Sequence, residues 1–211
     1  MRRLPVYLLL DTSGSMLGEP IEAVKNGVQV MISLLRQNPQ AIETAFLSII
    51  TFDSTAQQVV PLTDLASFQM VDIKASGTTS LGAALKLLAN SMDREITKTT
   101  MDQKGDWKPL VFIMTDGIPT DDWQSGLAEF HKHKTAYTIA CAAGTGADTS
   151  ILQQISKIVV SIDTDIQSIS RFFEWVTASI GVASTRIEDT GKEASGLNEL
   201  PPPPSELNIV V

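Results

Sequence analysis

The fold class and the candidate functional residues are both indicated by one segment, Val6-Tyr7-Leu8-Leu9-Leu10-Asp11-Thr12-Ser13-Gly14-Ser15. It begins with an uninterrupted apolar run, which is typical of a strand buried on both faces of a parallel sheet. The run stops at Asp11, and small residues follow it. Because ligands of open α/β sheets bind beyond the carboxyl ends of the strands, we expect Asp11 and its neighbours to lie at the functional edge.

Apolar runs of the same kind recur along the chain, separated by segments of helical period. Such runs predict buried strands at Val6–Leu10, Ala45–Phe52, Leu110–Thr115, Tyr137–Ala142 and Ile158–Ile162. The segment Gln57–Leu62 is less apolar and contains Pro61, so it predicts a short strand at an edge of the sheet.

The helical segments carry apolar residues at steps of three and four. The first is predicted to begin at Pro20, and the second carries a stripe from Leu81 to Met92. Three further helices are predicted to begin after the N-caps Thr120, Asp148 and Asp165. This alternation predicts an α/β fold with an open, mainly parallel, doubly wound (Rossmann-like) sheet and helices on both faces.

Composition predicts one globular domain with a remainder. The chain has 211 residues, of which 43% are hydrophobic and 19% are charged, enough to bury a full core. After about residue 184 charged and small residues lead to Pro201–Pro204, which favours polyproline II. We therefore predict a domain over residues 1–183 and a proline-containing tail over 184–211. The tail is either flexible or docked on its own domain or on a partner.

Charge and hydropathy limit the classes of partner. The net charge of −8 argues against nucleic-acid binding, which requires a basic surface. The apolar runs are far shorter than a membrane span, and the amino terminus lacks the features of a cleaved signal peptide. The single cysteine, Cys141, cannot form an internal disulfide and is expected in the core. These observations predict a cytoplasmic protein with neither nucleic acid nor membrane as its partner.

Three segments are predicted to bring oxygen ligands to one edge of the sheet. Asp11 follows the first strand, Asp116 follows the fourth, and the hydroxyl-rich loop 76–80 precedes the second helix. If the first and fourth strands are neighbours, these segments converge. Carboxylates and hydroxyls without histidine or cysteine suit Mg²⁺, with Mn²⁺ or Ca²⁺ as alternatives, rather than Zn²⁺.

These residues resemble a known motif. Asp11-x-Ser13-x-Ser15, followed by Thr79 and then Asp116, is similar to the metal-ion-dependent adhesion site (MIDAS) of von Willebrand factor A (vWA) domains. Thr79 fits this pattern better than Thr78, because the family spacing is Gly-x-Thr before the next helix. The resemblance covers about residues 4–182 and implies a vWA fold. It also implies that Ser13, Ser15 and Thr79 ligate the metal directly or through water, with Asp11 and Asp116 held by water bridges.

The chain is also similar to a narrower group, the small bacterial vWA proteins encoded with tellurite-resistance genes (TerY-type). Residues 2–11, 105–110 and 195–200 carry this likeness. It implies a cytoplasmic, non-enzymatic protein-interaction module in a tellurite-resistance or stress-response system. A partner protein would supply a carboxylate to the metal, and a co-encoded kinase or phosphatase is a candidate for that partner.

The alternative is a Mg²⁺-dependent phosphoryl-transfer or hydrolytic enzyme that uses Asp11 and Asp116. A haloacid-dehalogenase-like phosphatase needs a second carboxylate two residues after the first, where this chain has Ser13. The serine-hydrolase pattern Gly-x-Ser-x-Gly is absent around Ser13-Gly14-Ser15. His131 and His133 are two residues apart on a predicted helix, a spacing that points them in different directions. The sequence therefore favours binding over catalysis.

Overall fold

The computed structural model describes residues 2–193 and 199–210. Seven strands form one sheet. Their bounds are β1 (Leu4–Asp11), β2 (Ala45–Phe52), β3 (Ala56–Asp64), β4 (Leu110–Thr115), β5 (Tyr137–Ala143), β6 (Ile158–Ile162) and β7 (Asn208–Val210). The order across the sheet is β3-β2-β1-β4-β5-β6-β7. The five inner strands are parallel, and β3 and β7 run antiparallel at the two edges. The predicted open, mainly parallel sheet is confirmed.

Helices cover both faces of this sheet. They are α1 (Glu19–Leu35), α2 (Pro39–Thr44), α3 (Leu81–Glu95), α4 (Trp123–Phe130), α5 (Thr149–Ile155) and α6 (Ile166–Thr190). Asp148 and Asp165 cap α5 and α6 as predicted, since each carboxylate accepts backbone N–H groups of the first turn. The predicted cap Thr120 is wrong. Asp122 caps α4 by accepting from the backbone N–H of Ser125.

Strand β1 divides the core into two layers. Alternate residues of a strand point to opposite faces of the sheet, and all of β1 is buried. Val6, Leu8 and Leu10 belong to the layer formed with α1 and α6. Tyr7 and Leu9 belong to the layer formed with α3. Burial on both faces explains why β1 is uniformly apolar until Asp11.

The order of the strands positions the functional edge. β1 lies between β2 and β4, and Leu10 of β1 is paired with Met114 of β4. Asp11 and Asp116 therefore leave adjacent strands at the same edge. This is the neighbour relation on which the predicted convergence of the loops depends.

The end of the chain returns to the domain. Helix α6 continues past residue 184 to Thr190, because its apolar face extends to the buried Ile187, and Gly191 ends it in the left-handed conformation. Trp175 Nε1 then donates to the carbonyl of Pro201 over 2.8 Å, and β7 pairs with β6. Residues 195–198 of the tellurite-resistance likeness lie outside the described residues. The division of the chain at residue 184 stays a prediction.

Within the described ranges, no helix combines the length and the apolarity that a membrane span needs.

Candidate metal centre

Hydrogen bonds hold the carboxylate of Asp11 in place at the predicted site. Its Oδ1 accepts the backbone N–H of Ser13 over 2.8 Å, and its Oδ2 accepts the hydroxyl of Thr115 at the end of β4. Only 1% of Asp11 is exposed. Bonds from its own loop and from the neighbouring strand therefore hold this carboxylate in one orientation.

Two serines connect Asp11 to Asp116. The Ser13 and Ser15 hydroxyl oxygens are 3.0 Å apart, and Ser15 donates to Asp116 Oδ1 over 2.7 Å. Ser13 is buried, whereas Ser15 is exposed. The result is a continuous hydrogen-bonded series from Asp11 to Asp116, which we call the carboxylate–serine network, and its Ser15 side is open to solvent.

Thr79 lies beside this network. A Cβ built on Gly117 would be 3.1 Å from the Thr79 hydroxyl oxygen, so this hydroxyl is next to the residue that follows Asp116. Thr79 is 5% exposed, and its carbonyl accepts the N–H of Thr120 over 2.8 Å. Thr78 is exposed and bonds to Ser54 instead. Thr79, and not Thr78, therefore lies beside the carboxylate–serine network.

Backbone contacts between glycine-containing loops bring these segments together. Gly14 N–H donates to the carbonyl of Gly77 over 3.0 Å. A Cβ on Gly146 would lie 2.6 Å from the carbonyl oxygen of Asp116, closer than real Cβ atoms come to any oxygen. Only glycine permits such close approach, so Gly146 fits the β5–α5 loop against Asp116.

The electrostatics of the site favour a cation. Burial raises the pKa of Asp11, against the hydrogen bonds from Ser13 and Thr115, which lower it. Burial also raises the pKa of Asp116, against the bond from Ser15. Among the described residues, no basic side chain forms an ion pair with either carboxylate. Buried carboxylates without a counter-charge are costly, and a divalent ion would offset that cost.

The donor set consists of hydroxyl and carboxylate oxygens, which suits a hard cation such as Mg²⁺. Elsewhere in the described part of the chain, no three histidine, cysteine, aspartate or glutamate side chains are grouped to bind a metal. A site here would therefore depend on serine and threonine. The structure brings all five predicted residues together, and their role as ligands stays a prediction.

Other residues considered from the sequence lie apart from this network. His133 is 3.2 Å from Asp93, and its neighbour His131 follows the end of α4. Cys141 is fully buried in β5, and burial raises the pKa of its thiol. Sequence reasoning missed Thr115, whose only signal was a hydroxyl at the last position of a buried strand directly before Asp116.

The arrangement of fold and loops agrees with a comparison to known families. Residues 6–174 match the model of the von Willebrand factor type A domain. The chain belongs to this family. Domains of the family bind divalent metal ions at the MIDAS and are generally interaction modules rather than enzymes.

Similar proteins support the family and the fold. An uncharacterized protein of Synechocystis sp. is 32% identical over 123 residues, which are 55% of this chain and 26% of that protein. The chain thus spans about a quarter of the length of this relative. A von Willebrand factor type A structure from Catenulispora acidiphila superposes with a TM-score of 0.63 at 16% identity, covering 85% of this chain and 43% of the other.

The mussel byssus protein PTMP1 superposes with a TM-score of 0.66 at 19% identity, covering 84% of this chain and 48% of that one. A further structure of PTMP1 is described with a zinc-occupied MIDAS motif, with a TM-score of 0.62 at 19% identity over 87% and 46% of the two chains. At these identities the superpositions show the fold alone.

Proposed function

We propose that the protein is a metal-dependent protein-interaction module. Its MIDAS would hold Mg²⁺, with Mn²⁺ or Ca²⁺ as alternatives, and take up a carboxylate from a partner protein. The ligands would be Asp11, Ser13, Ser15, Thr79 and Asp116. The observation that carries the proposal is the carboxylate–serine network, which joins two buried carboxylates from adjacent strands.

Each residue has a role in this proposal. Both carboxylate oxygens of Asp11 accept hydrogen bonds, one from the Ser13 N–H and one from the Thr115 hydroxyl. The role of Asp11 would therefore be to orient the loop that carries the two serines. Ser13, Ser15 and Thr79 offer neutral hydroxyl oxygens, which leave a bound cation electron-poor. A divalent ion at this position supplies affinity for an anionic oxygen. Ser15 is exposed, so a partner would reach the site from its side.

The same chemistry favours binding over catalysis. In the described part of the chain, no histidine, lysine or cysteine side chain takes part in the hydrogen bonds of the network. Its carboxylates accept bonds from the serines, Thr115 and the loop backbone, so they position the loops, and no histidine is present to activate a serine as a nucleophile. We therefore propose a non-enzymatic role rather than the alternative phosphoryl-transfer or hydrolytic enzyme.

The setting is also a proposal. The likeness of residues 2–11 and 105–110 to tellurite-resistance vWA proteins supports a cytoplasmic role in a bacterial stress response. In that setting a co-encoded kinase or phosphatase would be a candidate partner that supplies the carboxylate.

Calorimetry with Mg²⁺ and with Mn²⁺ tests the metal site. We expect wild type to bind one ion, Asp11→Ala to bind none, and Ser15→Ala to bind at least about tenfold more weakly. Asp165→Asn is the matched control. It removes a carboxylate at the same edge of the sheet, but Asp165 caps α6 and is not one of the proposed ligands. Equal binding by wild type and Asp11→Ala, or no binding by wild type, would contradict the proposal.

A turnover screen with phosphate esters and nucleotides separates the two classes of function. We expect no Mg²⁺-dependent turnover by the purified protein. Turnover that Asp11→Asn abolishes, in the absence of any partner protein, would favour the enzymatic alternative.

A further inference from the structure

The edge that carries the candidate metal centre is acidic. The loops after the parallel strands (residues 12–18, 53–55, 116–122, 144–148 and 163–165) contain no lysine or arginine. Lys74 lies in the longer segment after β3 and pairs with Asp72. We call the acidic side chains on and beside these loops the acidic rim: Glu19, Asp53, Asp121, Asp122, Asp148, Asp163 and Asp165.

The opposite edge is rich in basic residues. Arg2 and Arg3 precede β1, Lys108 precedes β4, and Lys134 and Lys157 precede β5 and β6. Some of these are neutralised locally, since Arg3 pairs with Asp106 and Lys108 pairs with Glu193. The edge of the candidate site is therefore more acidic than the opposite edge of the sheet.

Structural roles account for only part of the acidic rim. Asp122, Asp148 and Asp165 cap helices, Asp121 accepts the N–H groups of Gly82 and Ala83, and Asp53 accepts the N–H of Thr55. Glu19 and Asp163 differ from these five.

Glu19 and Asp163 are exposed, and among the described residues neither makes a side-chain hydrogen bond or an ion pair. Their charges are left to act on whatever approaches the edge.

Two exposed aliphatic side chains flank the same site. Leu17 follows the turn that contains Ser15, and Ile118 comes two residues after Asp116. They are 63% and 60% exposed, and among the large hydrophobic side chains of the described residues only Met101 is more exposed. Since β1 and β4 are adjacent, the loop that bears Leu17 and the loop that bears Ile118 are neighbours. A partner that reaches the metal would therefore also meet apolar surface.

We propose that the partner presents its carboxylate from a cationic and partly aliphatic segment, meaning one aspartate or glutamate flanked by lysine or arginine and by an aliphatic residue. This inference rests on the proposed function. The charges of Asp11 and Asp116 balance those of a divalent ion, so the acidic rim keeps its negative field after the ion binds. The screening length at physiological salt is about 8 Å, so the acidic rim acts on the residues next to the bound carboxylate and not on distant parts of the partner.

Charge complementarity then sets specificity. An acidic tract would gain one bond to the ion, but its remaining carboxylates would face the acidic rim. A segment with flanking cations gains the bond to the ion and also the attraction between its cations and the acidic rim. Like charges placed together across an interface are a common means of rejecting wrong partners.

Peptide display tests this proposal. The full chain would be loaded with Mg²⁺ and exposed to displayed random peptides that carry one central aspartate, and bound peptides would be eluted with EDTA. We expect lysine or arginine and an aliphatic residue to be enriched beside the aspartate. EDTA-eluted peptides whose flanks are not enriched in cations would overturn the inference and leave the proposed function intact. If EDTA elutes no enriched peptide, both are wrong.

Variants of the acidic rim provide an independent readout. For a selected peptide, we expect Glu19→Lys combined with Asp163→Lys to weaken binding about tenfold at physiological salt, and less at high salt. Leu17→Ser combined with Ile118→Ser should weaken binding without changing its salt dependence. Lys157→Glu, at the opposite edge, is the control and should have no effect. Calorimetry with Mn²⁺ on each variant reports the metal site separately. Unchanged peptide binding by the Glu19→Lys and Asp163→Lys protein would overturn the inference.

Discussion

Gly146 is the residue whose lack of a side chain most directly shapes the candidate site. It lies in the β5–α5 loop, and a Cβ there would come 2.6 Å from the carbonyl oxygen of Asp116. The obstacle is backbone, so no side-chain rotation relieves it. We expect Gly146→Ala to displace Asp116 and to weaken Mn²⁺ binding about 10- to 100-fold, the usual effect of disturbing the support of a ligand.

Calorimetry measures this effect, with Gly181→Ala as the control. A Cβ on Gly181 would have a single neighbour, a side-chain nitrogen of Asn38 at 3.3 Å, and Gly181 lies in the second half of α6, far from the Asp165 end of that helix. Wild-type metal affinity in Gly146→Ala would show that the position of Asp116 does not depend on this contact.

The thiol of Cys141 is predicted to be inert in the folded protein. The side chain is fully buried in β5, and burial raises its pKa because the thiolate is disfavoured away from water. At pH 8 the folded protein should not react with Ellman's reagent, whereas the protein in guanidinium should release one equivalent of chromophore. Rapid stoichiometric labelling under native conditions would contradict this expectation.

At the scale of residues, the sequence predicted the grouping of side chains whose signal is local. Asp11, Ser13 and Ser15 are close in sequence, so their common position followed from the end of a strand. Thr115 and Gly146 act on residues far away in the chain, and only the pairing of β1 with β4 and the contact between loops reveal them.

The N-cap of α4 was misassigned for a similar reason, because both Thr120 and Asp122 suit the start of a helix. The Thr120 hydroxyl instead bonds to the backbone N–H and carbonyl of Thr79, a residue 41 positions earlier in the chain. Such a contact is visible only in the folded chain.

At the scale of elements, the crossing of α3 and α4 sets the spacing between two loops of the site. Helix α3 follows Thr79, and α4 follows the Asp116 loop. A Cβ on Gly126 would lie 2.3 Å from the carbonyl oxygen of Gly82, so the two backbones touch. We expect Gly126→Ala to push the helices apart and to lower the free energy of unfolding by about 1–3 kcal/mol.

Urea unfolding monitored by circular dichroism measures this loss. Gln124→Ala is a suitable control, since Gln124 is an exposed residue of the same helix. An unchanged unfolding midpoint in Gly126→Ala would mean that α4 shifts without cost and does not hold the spacing of the loops.

Elements differed in how far the sequence predicted them. The inner parallel strands were predictable, because burial on both faces leaves an apolar run that turn residues bound. Helix α2 is six residues long, too short for an apolar period to stand out. Strand β7 is a short apolar segment whose assignment depends on the free edge of β6. An edge is a property of the assembled sheet, so no local pattern specifies it.

At the scale of the whole molecule, the tail completes the fold. Its composition is typical of a disordered segment, and the sequence left flexible and docked states open. In the structure the described part finds specific partners: the indole N–H of Trp175 for the Pro201 carbonyl, and β6 for β7. Leu200 and Leu207 are buried against the domain. These contacts depend on surfaces that exist only after the rest of the chain has folded.

Deletion of residues 199–211 is therefore predicted to destabilise the protein. Burying a leucine contributes about 1.5–3 kcal/mol, so losing Leu200 and Leu207 together should lower the free energy of unfolding by roughly 3–6 kcal/mol. Urea unfolding measures the loss, and Ile209→Ser is the control because Ile209 is 42% exposed. The deletion also frees the edge of β6, which favours self-association and should appear in light scattering. An unchanged unfolding midpoint would show that the tail rests on the domain without stabilising it.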